Sequence, residues 1–216
     1  MDAEALKIDD QPVNSAFFGQ GDWLSDFITP EALEVRTLYE ELTADVPELS
    51  DKIVACWHWV ASEVKYTPFV EGQIRIGSYV SNQKDLWQYP SMVIKTRIGN
   101  CANKTFLLTS LLRNVMDHTS VFAVLGNLHQ PGEGGHAWVE ATLNGTDYIL
   151  ETTRADMTPF TNKVRAEIYE DVMYFNDRNT YAVEQRTLLQ PFCAVYVDWL
   201  KDYLDWNYIE TRRQPE

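Results

Sequence analysis

Apolar residues recur at helical spacing in four stretches of the chain and alternate with polar residues in one. Residues 1–28 carry no clear period and read as a lead-in. Thr29 and Pro30 mark a helix start, with Val35, Leu38, Tyr39 and Leu42 on one face before Pro47 stops it. Ser50 is placed to cap a second helix, whose face is Ile53, Cys56, Trp57, Val60 and Val64; Cys56 is a core residue here and His58, off the stripe, a surface one. A third helix is expected over 101–116, with its stripe at Leu108, Leu111, Leu112 and Val115. The fourth stripe, Tyr196, Trp199, Leu200, Tyr203 and Leu204, reads as core. From Pro68 to Pro90 the chain looks like loop, rich in aromatic and amide groups, and suited to a cleft wall.

The segment VFAVLG predicts a short buried strand, QPGEGG a flexible connection, and AEIYEDVMYF a further mixed stretch. Between them lies HAWVEATLNGTDYILETT, two runs around Asn144 and Gly145, a strong hairpin signal. A two-residue turn there pairs Leu143 with Thr146, Ala141 with Tyr148 and Val139 with Leu150, so one face is apolar. His136, Trp138 and Glu140 then share the other face with Glu151 and Thr153. Glu151 falls opposite Trp138 and diagonal to His136, a separation of roughly 7 to 8 Å that a glutamate side chain spans.

Composition narrows the picture. With 216 residues, 45% of them hydrophobic, the chain can bury one substantial core, and a single domain over 29–216 is expected, its centre at 50–155. A net charge of −14 disfavours nucleic acid and anionic membranes, both polyanions. The start MDAEALKIDD lacks a basic region followed by an apolar run, and no 18 consecutive apolar residues occur. Three separated cysteines, Cys56, Cys101 and Cys193, without a CxxC pair, suit reduced thiols in a cytoplasm. A secreted form already cut would look the same.

Cys101 stands ahead of its helical stripe, at the helix start, where free N–H groups and the dipole stabilise a thiolate. A histidine can take the thiol proton and return it to a leaving group, and a carboxylate behind it fixes the tautomer. Cys101, His136 and Glu151 fit those roles. Acyl transfer also needs donors for an oxyanion; the Cys101 backbone N–H and the Gln88 amide are candidates. His129, His136 and Glu140 could be read as metal ligands, but His129 lies in a loop beside Pro131 and Gly132, and no metal or cofactor is expected.

Over roughly residues 50–155, WQYPSMVIKTRIGNCANKTFLLTSLLRNV, VFAVLG and GGHAWVEATLNGTDYILETT resemble the core of the transglutaminase-like superfamily, including its bacterial cysteine proteinases. The resemblance implies an α+β, papain-like fold, with the nucleophile at the N-terminus of a buried helix packed on an antiparallel sheet. It also implies a Cys, His and acid triad at Cys101, His136 and Glu151, with Gln88 assisting the oxyanion. Two departures from the family pattern stand out: Glu151 stands where Asp is usual, and two places after the cysteine, where many relatives carry an acid, this chain has Asn103 and then Lys104. The function implied is a cysteine protease or amidase acting on a protein or peptide through a thioester. Transfer to an amine, and a binding or assembly module that has lost activity, are the alternatives.

Overall fold

The computed structural model describes residues 6–7, 24–68, 70–76, 79–83, 87–129, 134–153, 158–163 and 168–182. Cys193, the aromatic stripe at 196–204 and most of the QPGEGG connection lie outside these residues, as does most of the lead-in.

Helix α1 is Leu33–Thr43, α2 is Leu49–Glu63, α3 is Pro90–Thr96 and α4 is Cys101–Leu112. Among the described residues, helix α4 packs on one face of a six-stranded sheet and three further helices pack around α4. The strands are β6 (Val121–Leu128), β7 (Gly135–Leu143), β8 (Thr146–Leu150), β9 (Thr161–Asn162), β10 (Tyr169–Phe175) and β11 (Thr180–Ala182). Their order is β11-β10-β6-β7-β8-β9, antiparallel throughout. Two short pairings lie apart: β2 (Lys65–Tyr66) runs parallel to β5 (Ile98–Gly99), and a second sheet joins β1 (Leu6–Lys7), β3 (Val70–Ile76) and β4 (Tyr79–Gln83).

A cluster of buried apolar residues joins the helices to the sheet. Val35 and Leu38 of α1, Ile53, Cys56 and Val60 of α2, and Leu107, Leu108, Leu111 and Leu112 of α4 meet Val121, Val139, Ala141 and Leu150 of the sheet. Burying such a side chain contributes about 1.5 to 3 kcal/mol, which is why the apolar faces read from spacing locate the layers. The hairpin register is the one the turn dictates: Leu143 pairs with Thr146, Ala141 with Tyr148 and Val139 with Leu150. Asn144 and Gly145 have φ of 52° and 76°, the left-handed pair that a type I′ turn requires.

Four expectations are corrected. Helix α1 begins at Leu33, because Ala32 is still extended and Pro30 sits in a turn closed by Ala32 N–H on the Thr29 carbonyl. Glu48, not Ser50, occupies the N-cap of α2, and Ser50 lies in its first turn. The stretch 68–90 is not all loop: β3 and β4 pair as an antiparallel hairpin with Ile76 opposite Tyr79. Finally, α4 ends at Leu112, leaving Val115 beyond it, and all twelve of its residues are buried; the other helices and the sheet enclose it, so none of its faces meets water and its polar residues are buried too.

Candidate active site

Cys101 opens the enclosed helix α4. Asn100 is its N-cap, extended in backbone, and its side-chain oxygen accepts the Asn103 N–H at 2.9 Å. The approach to the cap is fixed by β2 against β5, continued by Thr67 N–H to the Gly99 carbonyl at 3.1 Å. The thiol is thus held at a helix N-terminus, 9% exposed, by backbone pairing on one side and a cap on the other.

His136 projects from the start of β7. Its Nε2 lies 2.8 Å from Glu151 Oε2, its ring is in hydrogen-bond contact with the Cys101 side chain, and the Trp138 indole stacks on it at 6.0 Å. The indole needs room that only a glycine leaves, because a Cβ on Gly126 would overlap both Trp138 and the Glu170 carbonyl. Burial pulls the His136 pKa down, but the hydrogen bonds to Cys101 and Glu151 and the charge of Glu151 outweigh it, and the ring is raised to about 10.

Glu151 follows β8 directly and is fully buried. Every carboxylate oxygen is occupied: Oε1 accepts from the Thr153 N–H and hydroxyl, each at 2.8 Å, and Oε2 from His136 and from the Tyr169 hydroxyl at 3.1 Å. Burial raises this carboxyl, yet the His136 hydrogen bond and charge, followed by Thr153, bring it down to about 2. The backbone is anchored as well, since Trp57 Nε1 of α2 donates to the Glu151 carbonyl at 2.6 Å.

Gln88 is buried and its amide is engaged: Nε2 donates to the Ile98 carbonyl at 2.8 Å and Oε1 accepts from the Thr96 hydroxyl at 3.1 Å. Its backbone N–H donates to Asn103 Oδ1 at 2.7 Å, which ties it to the first turn of α4. The structure therefore brings Cys101, His136 and Glu151 together and fixes Gln88 to the same helix. The two histidines and the acid weighed as metal ligands diverge instead: His129 faces Glu170, His136 faces Glu151, and Glu140 bonds Trp138 and Lys163. Among the described residues no group of three or more His, Cys, Asp or Glu is placed to hold a metal, and no helix is long and apolar enough to cross a membrane.

Sequence reasoning missed Tyr169, Trp57, Asn103 and Lys104. Tyr169 and Trp57 reach Glu151 from elements distant in sequence, and nothing local signals such a contact. Asn103 carried a signal: it is the third residue after Asn100, where a capping interaction falls.

The family model for the transglutaminase-like superfamily matches residues 36–150, which contain Gln88, Cys101 and His136. Among solved structures, LapG of Legionella pneumophila in an EGTA-treated form superposes with a TM-score of 0.53 at 12% identity, covering 90% of this chain and 100% of that one. A second LapG structure from the same organism gives 0.53 at 11% identity, covering 94% and 100%. At such identities the likeness speaks for the fold. No curated protein matches the sequence. The family match spans more than half the chain and the fold agrees with it: this chain belongs to the transglutaminase-like superfamily, with that family's papain-like α+β architecture.

Proposed function

We propose that the protein is a cysteine hydrolase that cleaves amide bonds of proteins or peptides through a thioester on Cys101. The observation that carries the reading is the buried 2.8 Å contact of His136 Nε2 with Glu151 Oε2, on a ring that also interacts with the Cys101 side chain. The thiolate attacks the amide carbonyl carbon, and the negative charge passes to the carbonyl oxygen. The imidazolium of His136 gives its proton to the leaving nitrogen as the C–N bond breaks, leaving a thioester and a neutral imidazole. That imidazole takes a proton from water as water attacks the thioester; the acid leaves, and the thiolate and imidazolium return. Glu151 holds the ring in the required tautomer throughout. The Cys101 backbone N–H, with the Gln88 N–H not directed at Ile98, would receive the oxyanion. A reducing compartment such as the cytoplasm suits such chemistry, and Cys56 and Cys101 are both free thiols.

Incubation with an electrophilic amide-mimicking probe, followed by mass mapping, tests this. Cys101 should carry the label, and Cys101→Ala should abolish turnover of the amides cleaved. Cys56 should react far more slowly, since burial pushes its thiol up to about 12. Faster labelling at Cys56 or Cys193, or turnover surviving in Cys101→Ala, would remove the reading. Release of acid in water, against transfer to added amine, separates hydrolysis from cross-linking.

A further inference from the structure

Lys104 is a lysine inside the protein, 1% exposed, one turn along α4 from Cys101. Lysine is almost never buried to that degree without a partner. Its Nζ donates to the Val64 carbonyl at 3.0 Å and the Ala61 carbonyl at 3.2 Å. These are carbonyls at the C-terminal end of α2, where a helix leaves acceptors unsatisfied and its dipole is negative. Helix α2 is the same helix whose Trp57 holds the Glu151 carbonyl, so one element braces both the helix bearing Cys101 and the residue behind His136.

The charges of the site add up to a second point. In the reading proposed above, on which this inference rests, a thiolate, an imidazolium and a carboxylate sit together almost out of water, leaving one uncompensated negative charge. Buried charge is costly unless balanced. Lys104 supplies the missing positive charge. Burial lowers its pKa to about 8, and the field of Glu151 acts against that fall. The charged group whose field reaches Lys104 is Glu151, after β8, which in turn bonds His136 of β7; the two acceptors from α2 are uncharged.

We infer that Lys104 is a positioning residue of this site, its ammonium clamped on the end of α2 as the fixed counter-charge of the Cys101, His136 and Glu151 group. A lysine that merely capped α2 would hold the helix but leave the titration of the site unchanged.

The test uses the full chain and iodoacetamide as the probe. Lys104→Met keeps the length of the side chain and removes the charge. Cys101 labelling at pH 7 should slow about 10-fold or more, and the His136 ring titration, followed by NMR, should move up by about one pH unit, the size of a charge interaction at an effective dielectric of ~20. In a Glu151→Gln background, where the site no longer carries excess negative charge, the same change should slow labelling less than about 3-fold. Equal slowing in both backgrounds, with His136 unmoved, would reduce Lys104 to a cap of α2. Should Lys104→Met not fold, the titration of the Lys104 side chain itself decides: it should fall below its wild-type midpoint in Glu151→Gln, and an unchanged midpoint overturns the inference. If wild-type Cys101 is not the labelled thiol, the proposed function fails instead, so the two failures are distinguishable.

Discussion

The Tyr169 hydroxyl donates to Glu151 Oε2, the same oxygen that faces His136 Nε2. A glutamate reaches one methylene farther than the aspartate usual in the family, and a longer side chain has more freedom to lose. Tyr169 and Thr153 hold both ends of the carboxylate, which answers that freedom with hydrogen bonds. Tyr169→Phe keeps the ring that packs edge-on against Trp138 and removes only the hydroxyl. Loss of one hydrogen bond to a buried charge should cost about 1.5 to 3 kcal/mol in chemical denaturation. Turnover should fall about 10-fold with KM spared, since an orienting contact acts through His136. A change in KM alone would move Tyr169 to substrate binding.

Glu151→Gln should cut turnover by roughly 10- to 10,000-fold while keeping the fold, and Glu151→Asp should recover part of the loss. The pH dependence of stability gives an independent check. A carboxyl brought down to about 2 stabilises the fold above its unfolded value near 4.5, and that contribution is lost as pH falls through 2. An imidazole raised to about 10 stabilises below its unfolded value near 6.5, and that contribution is lost as pH rises through 10. The pair contributes most between pH 4.5 and 6.5 and less on either side. In Glu151→Gln the His136 titration should drop from about 10, and the alkaline loss of stability should begin at lower pH, as followed by NMR and thermal melts.

The contact between His136 and Glu151 was legible because a hairpin carries its own ruler. Two residues, Asn144 and Gly145, set the turn, and side-chain alternation does the rest. The core faces of α1 and α2 were legible for the same reason, helical period. What stayed hidden depends on neighbours that no local period encodes. Helix α4 is enclosed because three other helices and the sheet surround it, so its one-sided stripe was misleading. Trp57, Tyr169 and Lys104 reach their partners across 94, 18 and at least 40 residues of chain. Gln88 was picked as a loop amide near Pro90, and its tether to Asn103 appears only once α3 and α4 are packed.

That tether shapes what Gln88 can do. Gln88→Ala removes an amide already bonded to Ile98 and Thr96, so it should cost stability as well as rate. As an oxyanion donor it should lower kcat by about 10- to 1000-fold with little change in KM. Asn103→Ala leaves the Gln88 amide in place but removes the acceptor for its backbone N–H. It should lower kcat less than Gln88→Ala does, at a similar cost in stability. If Asn103→Ala proves the more damaging to kcat, the head of α4 matters to the reaction more than the Gln88 side chain.

Glu140 shares the hairpin face that carries His136, and its surroundings set the sign of its contribution. Its carboxylate accepts from Trp138 Nε1 at 3.1 Å and bonds Lys163 at 2.5 Å, and Lys163 also bonds Asp171. Burial first, and Asp171 second, raise the Glu140 carboxyl to about 7, against the pull of Lys163. The sign is opposite to that of Glu151. A raised carboxyl binds its proton more tightly in the folded state, so it subtracts stability as pH rises from about 4.5 to 7. Glutamine resembles the protonated form and has no such loss. Glu140→Gln should therefore match wild type in melting temperature at pH 5 and gain relative to it by pH 8. Its amide oxygen can still accept from Trp138, the ring stacked on His136, so turnover should change by less than about 3-fold. A larger loss of turnover with the His136 titration unmoved would mean that Glu140 touches substrate. A loss accompanied by a shifted His136 titration would mean that it acts through the indole.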